Sequence, residues 1–112
     1  MNELILSIIA ALVVVESHGN RNAVGDGGAA IGILQIHSIM VDEANRLAGA
    51  HLFDVVDRWD PEKSREMAQL VLSRRLHLAG HTEPTEEAAR YAIGLWNRGD
   101  VYYQKVLKEL NR

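Results

Sequence analysis

The sequence predicts an all-α domain, helices packed on helices, from three observations. Apolar residues recur at three-to-four spacing over several stretches. Asp-Pro, Thr and Gly punctuation falls where those stretches begin and end. No pair of alternating runs joined by hairpin chemistry is visible. At 112 residues the chain is sized for a single domain over 1–112, because two halves would each be too small to bury a useful core.

Taken in order, Leu4 to Val15 is apolar on every face, which predicts a central N-terminal helix buried among the others. Its Val13, Val14 and Val15 would equally suit a buried strand. From His18 to Gly32 the chain carries five glycines with Asn20, Asn22 and Asp26, residues that tolerate positive φ and turn bonding, so a long turn-rich loop follows. Unstructured loops of that length are uncommon in small domains and tend to be functional. Ser38 is positioned to cap a helix running to about Ala48, stopped by Gly49. Asp60-Pro61-Glu62 starts a helix that Gly80 ends, with Ala68, Val71, Leu72, Leu76 and Ala79 as its apolar stripe. Thr85 opens another helix through Trp96, closed near Gly99, and Asp100 caps a last one through Val106 and Leu110.

Composition narrows the function classes. Apolar types make up 47% and charged types 24% of residues, an ordinary globular balance. A net charge of −3 argues against nucleic acid as partner, since phosphate binding relies on clustered Lys and Arg. With no cysteine there is neither a disulfide framework nor a thiolate metal site. Leu4–Val15 is too short for a transmembrane helix, which takes about 18 to 20 apolar residues, and Glu3 stands where the basic region of a signal peptide belongs. The segment is expected to stay in the folded protein.

Glu16 is the leading chemical candidate, at the end of the most apolar segment and at the lip of the glycine-rich loop. A carboxylate there is partly desolvated, which raises its pKa toward the range a general acid needs near neutral pH. The plain alternative is a Glu that ends a helix and reaches solvent. Asp26 offers a second carboxylate, although an Asp in such a loop more often braces a turn. Gln35 has the plain reading of a polar residue satisfying loop backbone, Asn97 of one ending its helix, and Tyr102 of a packed aromatic with a wet hydroxyl. Trp96 is expected in the core. His77 and His81 have the spacing of a helical chelate, but Gly80 interrupts it and no third ligand is near, so no metal site is assigned. His18, His37, Arg74 and Arg75 are read as solvated surface.

The order of residues carries more than any one of them. Glu16-Ser17-His18-Gly19-Asn20-Arg21-Asn22-Ala23-Val24, then Gly32-Ile33-Leu34-Gln35-Ile36, and later Trp96-Asn97-Arg98-Gly99 with Tyr102 and Lys105-Val106, resembles the lytic transglycosylase and goose-type lysozyme superfamily. The resemblance implies a compact lysozyme-like helical domain with a Gly-rich active-site loop, cutting peptidoglycan glycan strands between N-acetylmuramic acid and N-acetylglucosamine. It implies Glu16 as catalytic acid/base and Ser17, Gln35, Asn97 and Tyr102 as residues lining the substrate site; Asp26, supplied by the departure at Gly25-Asp26, is added as a candidate substrate-site residue. No cofactor is implied, and a monomer is expected.

Two departures stand out: Gly25 where many transglycosylases carry Ser, and Leu34 where they carry Met. Gly25 and the negative charge sustain a rival class, a wall-engaging module that keeps the fold but lacks efficient turnover. A helical interaction domain unrelated to sugars is the third. Localisation is left open beyond action on the cell wall.

Overall fold

The apolar N-terminal run folds as helix α1, Asn2–Ser17, in a computed structural model that describes residues 1–112. It is the central helix, packing against α3 (Pro61–Leu78), α4 (Glu86–Gly94) and α5 (Asp100–Leu110). Ile8 and Leu12 are fully buried, each contributing roughly 1.5–3 kcal/mol of hydrophobic stabilisation. Burial is not all round, however: Leu6 and Ala10 on its outer side remain exposed. The helix ends where His18 turns left-handed at φ 53° and returns its N–H to the Val14 carbonyl.

Beyond α1 the loop is more ordered than the sequence suggests. Val24–Gly25 (β1) and Ala30–Ile31 (β2) pair antiparallel, Val24 opposite Ile31 and Gly25 opposite Ala30, around a 3₁₀ turn at Asp26–Gly28. This small hairpin corrects the expectation of no strand pair. Two residues per strand are too few to show any alternation. The hairpin rests on Arg58, whose guanidinium donates to the carbonyls of Ala29 (3.2 Å) and Ile36 (3.1 Å). Gly32 passes so close to the Arg58 carbonyl, at φ +81°, that a Cβ there would lie 2.1 Å from that oxygen. Only glycine fits.

Arg58 belongs to a 3₁₀ helix, Val55–Trp59, held by a reciprocal capping box between Asp54 and Asp57. Helix α2, Ser38–Ala48, stops at Gly49 as expected, but His37 occupies the cap position and Ser38 is its first helical residue. In α3, Asp60 accepts from the N–H groups of Glu62 and Lys63 ahead of Pro61. Its stripe is buried through Leu76, while Ala79 is exposed and Met67 and Ser64 join the core. Thr85 caps α4 through the Ala88 N–H. That helix ends at Gly94, short of Trp96, and Gly99 rather than Asp100 caps α5. Trp96 is half-buried at the edge of the core, its indole N–H donating to the Leu34 carbonyl at 3.0 Å. Arg75 likewise leaves the solvated face assigned to it and pairs with Glu43 of α2.

Candidate active site

Four segments converge on Glu16. The end of α1 supplies the carboxyl itself, half-buried. Tyr102, on the first turn of α5, donates its phenolic O–H to Glu16 Oε2 at 2.9 Å, across 86 residues of sequence. The hairpin supplies Asp26 and the start of α2 supplies His37, joined Nε2 to Oδ2 at 2.8 Å, and both act electrostatically on Glu16.

Burial is the main influence on the Glu16 carboxyl and raises its pKa above the ordinary 4.5. The Tyr102 hydrogen bond pulls the other way by stabilising the ionised form; the Asp26 charge adds to the rise and His37 subtracts from it. The net direction is up. Burial also pushes the Tyr102 phenol far above its usual range, reinforced by the neighbouring Glu16 charge and hydrogen bond, so Tyr102 stays a donor at every physiological pH. Glu16 makes no ion pair. A carboxyl that has lost water and gained no arginine or lysine holds its proton to a higher pH than a free one, the direction a general acid requires.

The remaining residues named from sequence divide. Ser17 donates to the Ile33 carbonyl at 2.7 Å and accepts from the Gly19 N–H at 3.1 Å, tying the end of α1 to the far side of the loop. Gln35, left-handed at φ 50°, donates to the carbonyls of Ala23 (3.1 Å) and Gly32 (3.0 Å). A Cβ on Gly25 would lie 2.3 Å from Gln35 Oε1, so the glycine there and the inward fold of the glutamine go together. Asn97 is exposed and accepts from the Gly99 N–H at 2.7 Å, leaving its amide N–H groups free. Tyr102 thus touches Glu16, and Asp26 lies within its electrostatic range. Ser17 and Gln35 brace the loop. His37, read from sequence as surface, is the residue missed; as one histidine beside a serine it carries no local signal.

The family described as the transglycosylase SLT domain matches residues 1–108. The chain belongs to that family. Its members are peptidoglycan-cleaving lytic transglycosylases, and the match covers α1 to α4 and most of α5 of this SLT domain. No curated protein and no solved structure matches it at a significant level. Within the SLT domain no group of three or more His, Asp or Glu side chains is arranged to hold a metal ion, and no helix is long and apolar enough to cross a membrane.

Proposed function

We propose that this SLT domain cleaves the glycan strand between N-acetylmuramic acid and N-acetylglucosamine, with Glu16 as general acid and then general base. The observation that carries the reading is a half-buried carboxyl without a cation partner, oriented by the Tyr102 hydroxyl at 2.9 Å. In the first step Glu16 gives its proton to the bridging glycosidic oxygen as the bond from that oxygen to the muramoyl C1 breaks, and the N-acetylglucosamine side leaves with a free hydroxyl. In the second, the Glu16 carboxylate takes the proton of the muramoyl C6 hydroxyl while O6 bonds to C1, closing a 1,6-anhydro ring. No water is consumed, and Glu16 ends protonated as it began. Tyr102, hydrogen-bonded to one carboxylate oxygen, holds the group in place while it is ionised between the two steps. Ser17 and Gln35 keep the loop walls fixed around the sugar.

A hydrolytic variant is favoured by one observation, the second carboxylate Asp26 held by His37. There a water takes the place of the C6 hydroxyl at C1. Purified peptidoglycan incubated with the protein and analysed by mass spectrometry tests both. Anhydro-muropeptides, one water lighter than hydrolysed fragments, support the transglycosylase reading, and reducing-end fragments support hydrolysis. Binding to wall with no fragment released would overturn both and leave the wall-engaging module.

A further inference from the structure

At the α4–α5 junction lies a cavity of about 280 Å³ whose lining includes Arg90, Tyr91, Leu95, Asn97, Arg98 and Tyr103. No carboxylate lines it, in a chain whose net charge is −3. Arg98 has no acidic partner within ion-pair reach. Arg90 stacks its guanidinium 4.0 Å over the Tyr103 ring and only loosely meets Asp100, 3.7 Å away with a side chain 94% exposed. That stacking fixes the plane of the guanidinium beside the cavity. Tyr103 is 4% exposed, and its hydroxyl is buried with no hydrogen-bond partner, a cost that structures seldom leave unexplained. The amide N–H groups of Asn97 are free, since its oxygen is used by Gly99. One unpaired guanidinium, Arg98, a second held only loosely by Asp100, and a free amide around this half-open volume form a receptor for a carboxylate.

We infer that this cavity binds a carboxylate of the stem peptide carried by the glycan strand being cleaved, which anchors the strand relative to Glu16. The inference rests on the cleavage reading above for the identity of the strand. Tyr102 and Tyr103 are consecutive, and successive helical side chains point roughly 100° apart, so one turn of α5 presents Tyr102 to Glu16 and Tyr103 to the cavity. On the other side, Trp96 joins the same α4–α5 junction to the Leu34 carbonyl, next to Gln35. A stem peptide hangs from the muramoyl sugar, the sugar whose bond is cut. Extended at about 3.3 Å per residue, four residues reach about 13 Å, enough to pass from one face of a helix to the next. The stem is rich in carboxylates, and the cavity is cationic in an otherwise acidic chain.

The test is an NMR titration of the whole chain with a synthetic stem tetrapeptide bearing its free carboxylates, beside the same peptide with those groups amidated. The expected result is shift changes gathered over residues 90–103. The amidated peptide and the Arg98→Ala variant should each bind about tenfold more weakly or worse, and Arg98→Lys should recover part of the loss. Equal binding of the amidated peptide, or an unchanged affinity in Arg98→Ala, overturns the proposal. So does preferential binding of a glycerol-phosphate polymer at the same residues, which would assign the site to a different wall polymer. A second readout compares cleavage of intact wall with cleavage of strands stripped of peptide. The preference for intact wall should fall in Arg98→Ala, and an unchanged preference counts against the site. A chain that binds the peptide yet releases nothing from wall loses the cleavage reading but not the cavity; a chain that cleaves wall and ignores the peptide loses the cavity alone.

Discussion

Glu16 and Glu43 are the same residue type, both half-buried on helices, and their surroundings drive them in opposite directions. Burial acts to raise the pKa of each. For Glu43 that effect is outweighed by hydrogen bonds and charge from Arg46 and Arg75, so its pKa falls below the ordinary 4.5. Around Glu16 no arginine or lysine stands in for lost water; a phenol donates one hydrogen bond, Asp26 repels, His37 attracts, and the pKa stays raised. Burial alone therefore does not mark an acid for catalysis. Burial without an arginine or lysine beside it leaves the pKa raised, and α1 delivers Glu16 to such a place while α2 and α3 deliver Glu43 to its opposite.

The sharpest break of this comparison is a pair of isosteric substitutions. Glu16→Gln removes the ionisable proton and should lower muropeptide release by about 10² to 10⁴ or more, with the helical circular dichroism unchanged. Glu43→Gln should leave release near wild type and cost no more than about 1 kcal/mol, since Arg46 and Arg75 are both partly solvated. The two should also separate in thermal unfolding. A raised folded pKa favours the folded state below 4.5 and loses that advantage as pH rises through the folded value, so Glu16→Gln should raise Tm at pH 7 and not at pH 3. A lowered folded pKa works the other way, so Glu43→Gln should lower Tm at pH 7 and not in strong acid.

Next in size is Tyr102→Phe, which removes the single hydrogen bond favouring ionised Glu16. Activity should drop roughly tenfold, and the alkaline limb of the pH–rate profile should move up, because the carboxyl then holds its proton longer. A limb that moves down would mean that Tyr102 does not stabilise the carboxylate. The smallest effects belong to the hairpin pair. Asp26→Asn removes a repelling charge and should move the alkaline limb down, and His37→Gln should move it up. Shifts of the same sign in both variants would contradict their placement around Glu16.

Most helices were readable because their signals are local. Asp60-Pro61 and Thr85 announce starts, Gly49 and Gly80 announce stops, and the stripe Ala68–Val71–Leu72–Leu76 needs only the helical period. Glu16 was readable too, from an apolar run broken by an acid before a cluster of glycines. What escaped depends on contacts remote in sequence. The hydrogen bond of Tyr102 to Glu16 spans 86 residues, so that Tyr102 enters as a site residue through the resemblance alone, and Arg58 supports the hairpin across 22 and 29. The indole of Trp96 reaches Leu34 across 62. The capping pair Asp54 and Asp57 is the exception, a local signal that was open to reading. Gly25 is instructive in another way: its departure from the usual serine has its counterpart in the inward fold of Gln35, which no spacing rule relates to it.

The most direct test is to follow the carboxyl carbon of Glu16 by NMR as pH is varied, with Glu43 in the same sample as the internal contrast. The account predicts a midpoint above 4.5 for Glu16 and below it for Glu43. A Glu16 midpoint at or below 4.5 would contradict the claim that burial without a compensating arginine or lysine raises this carboxyl toward the range of a general acid.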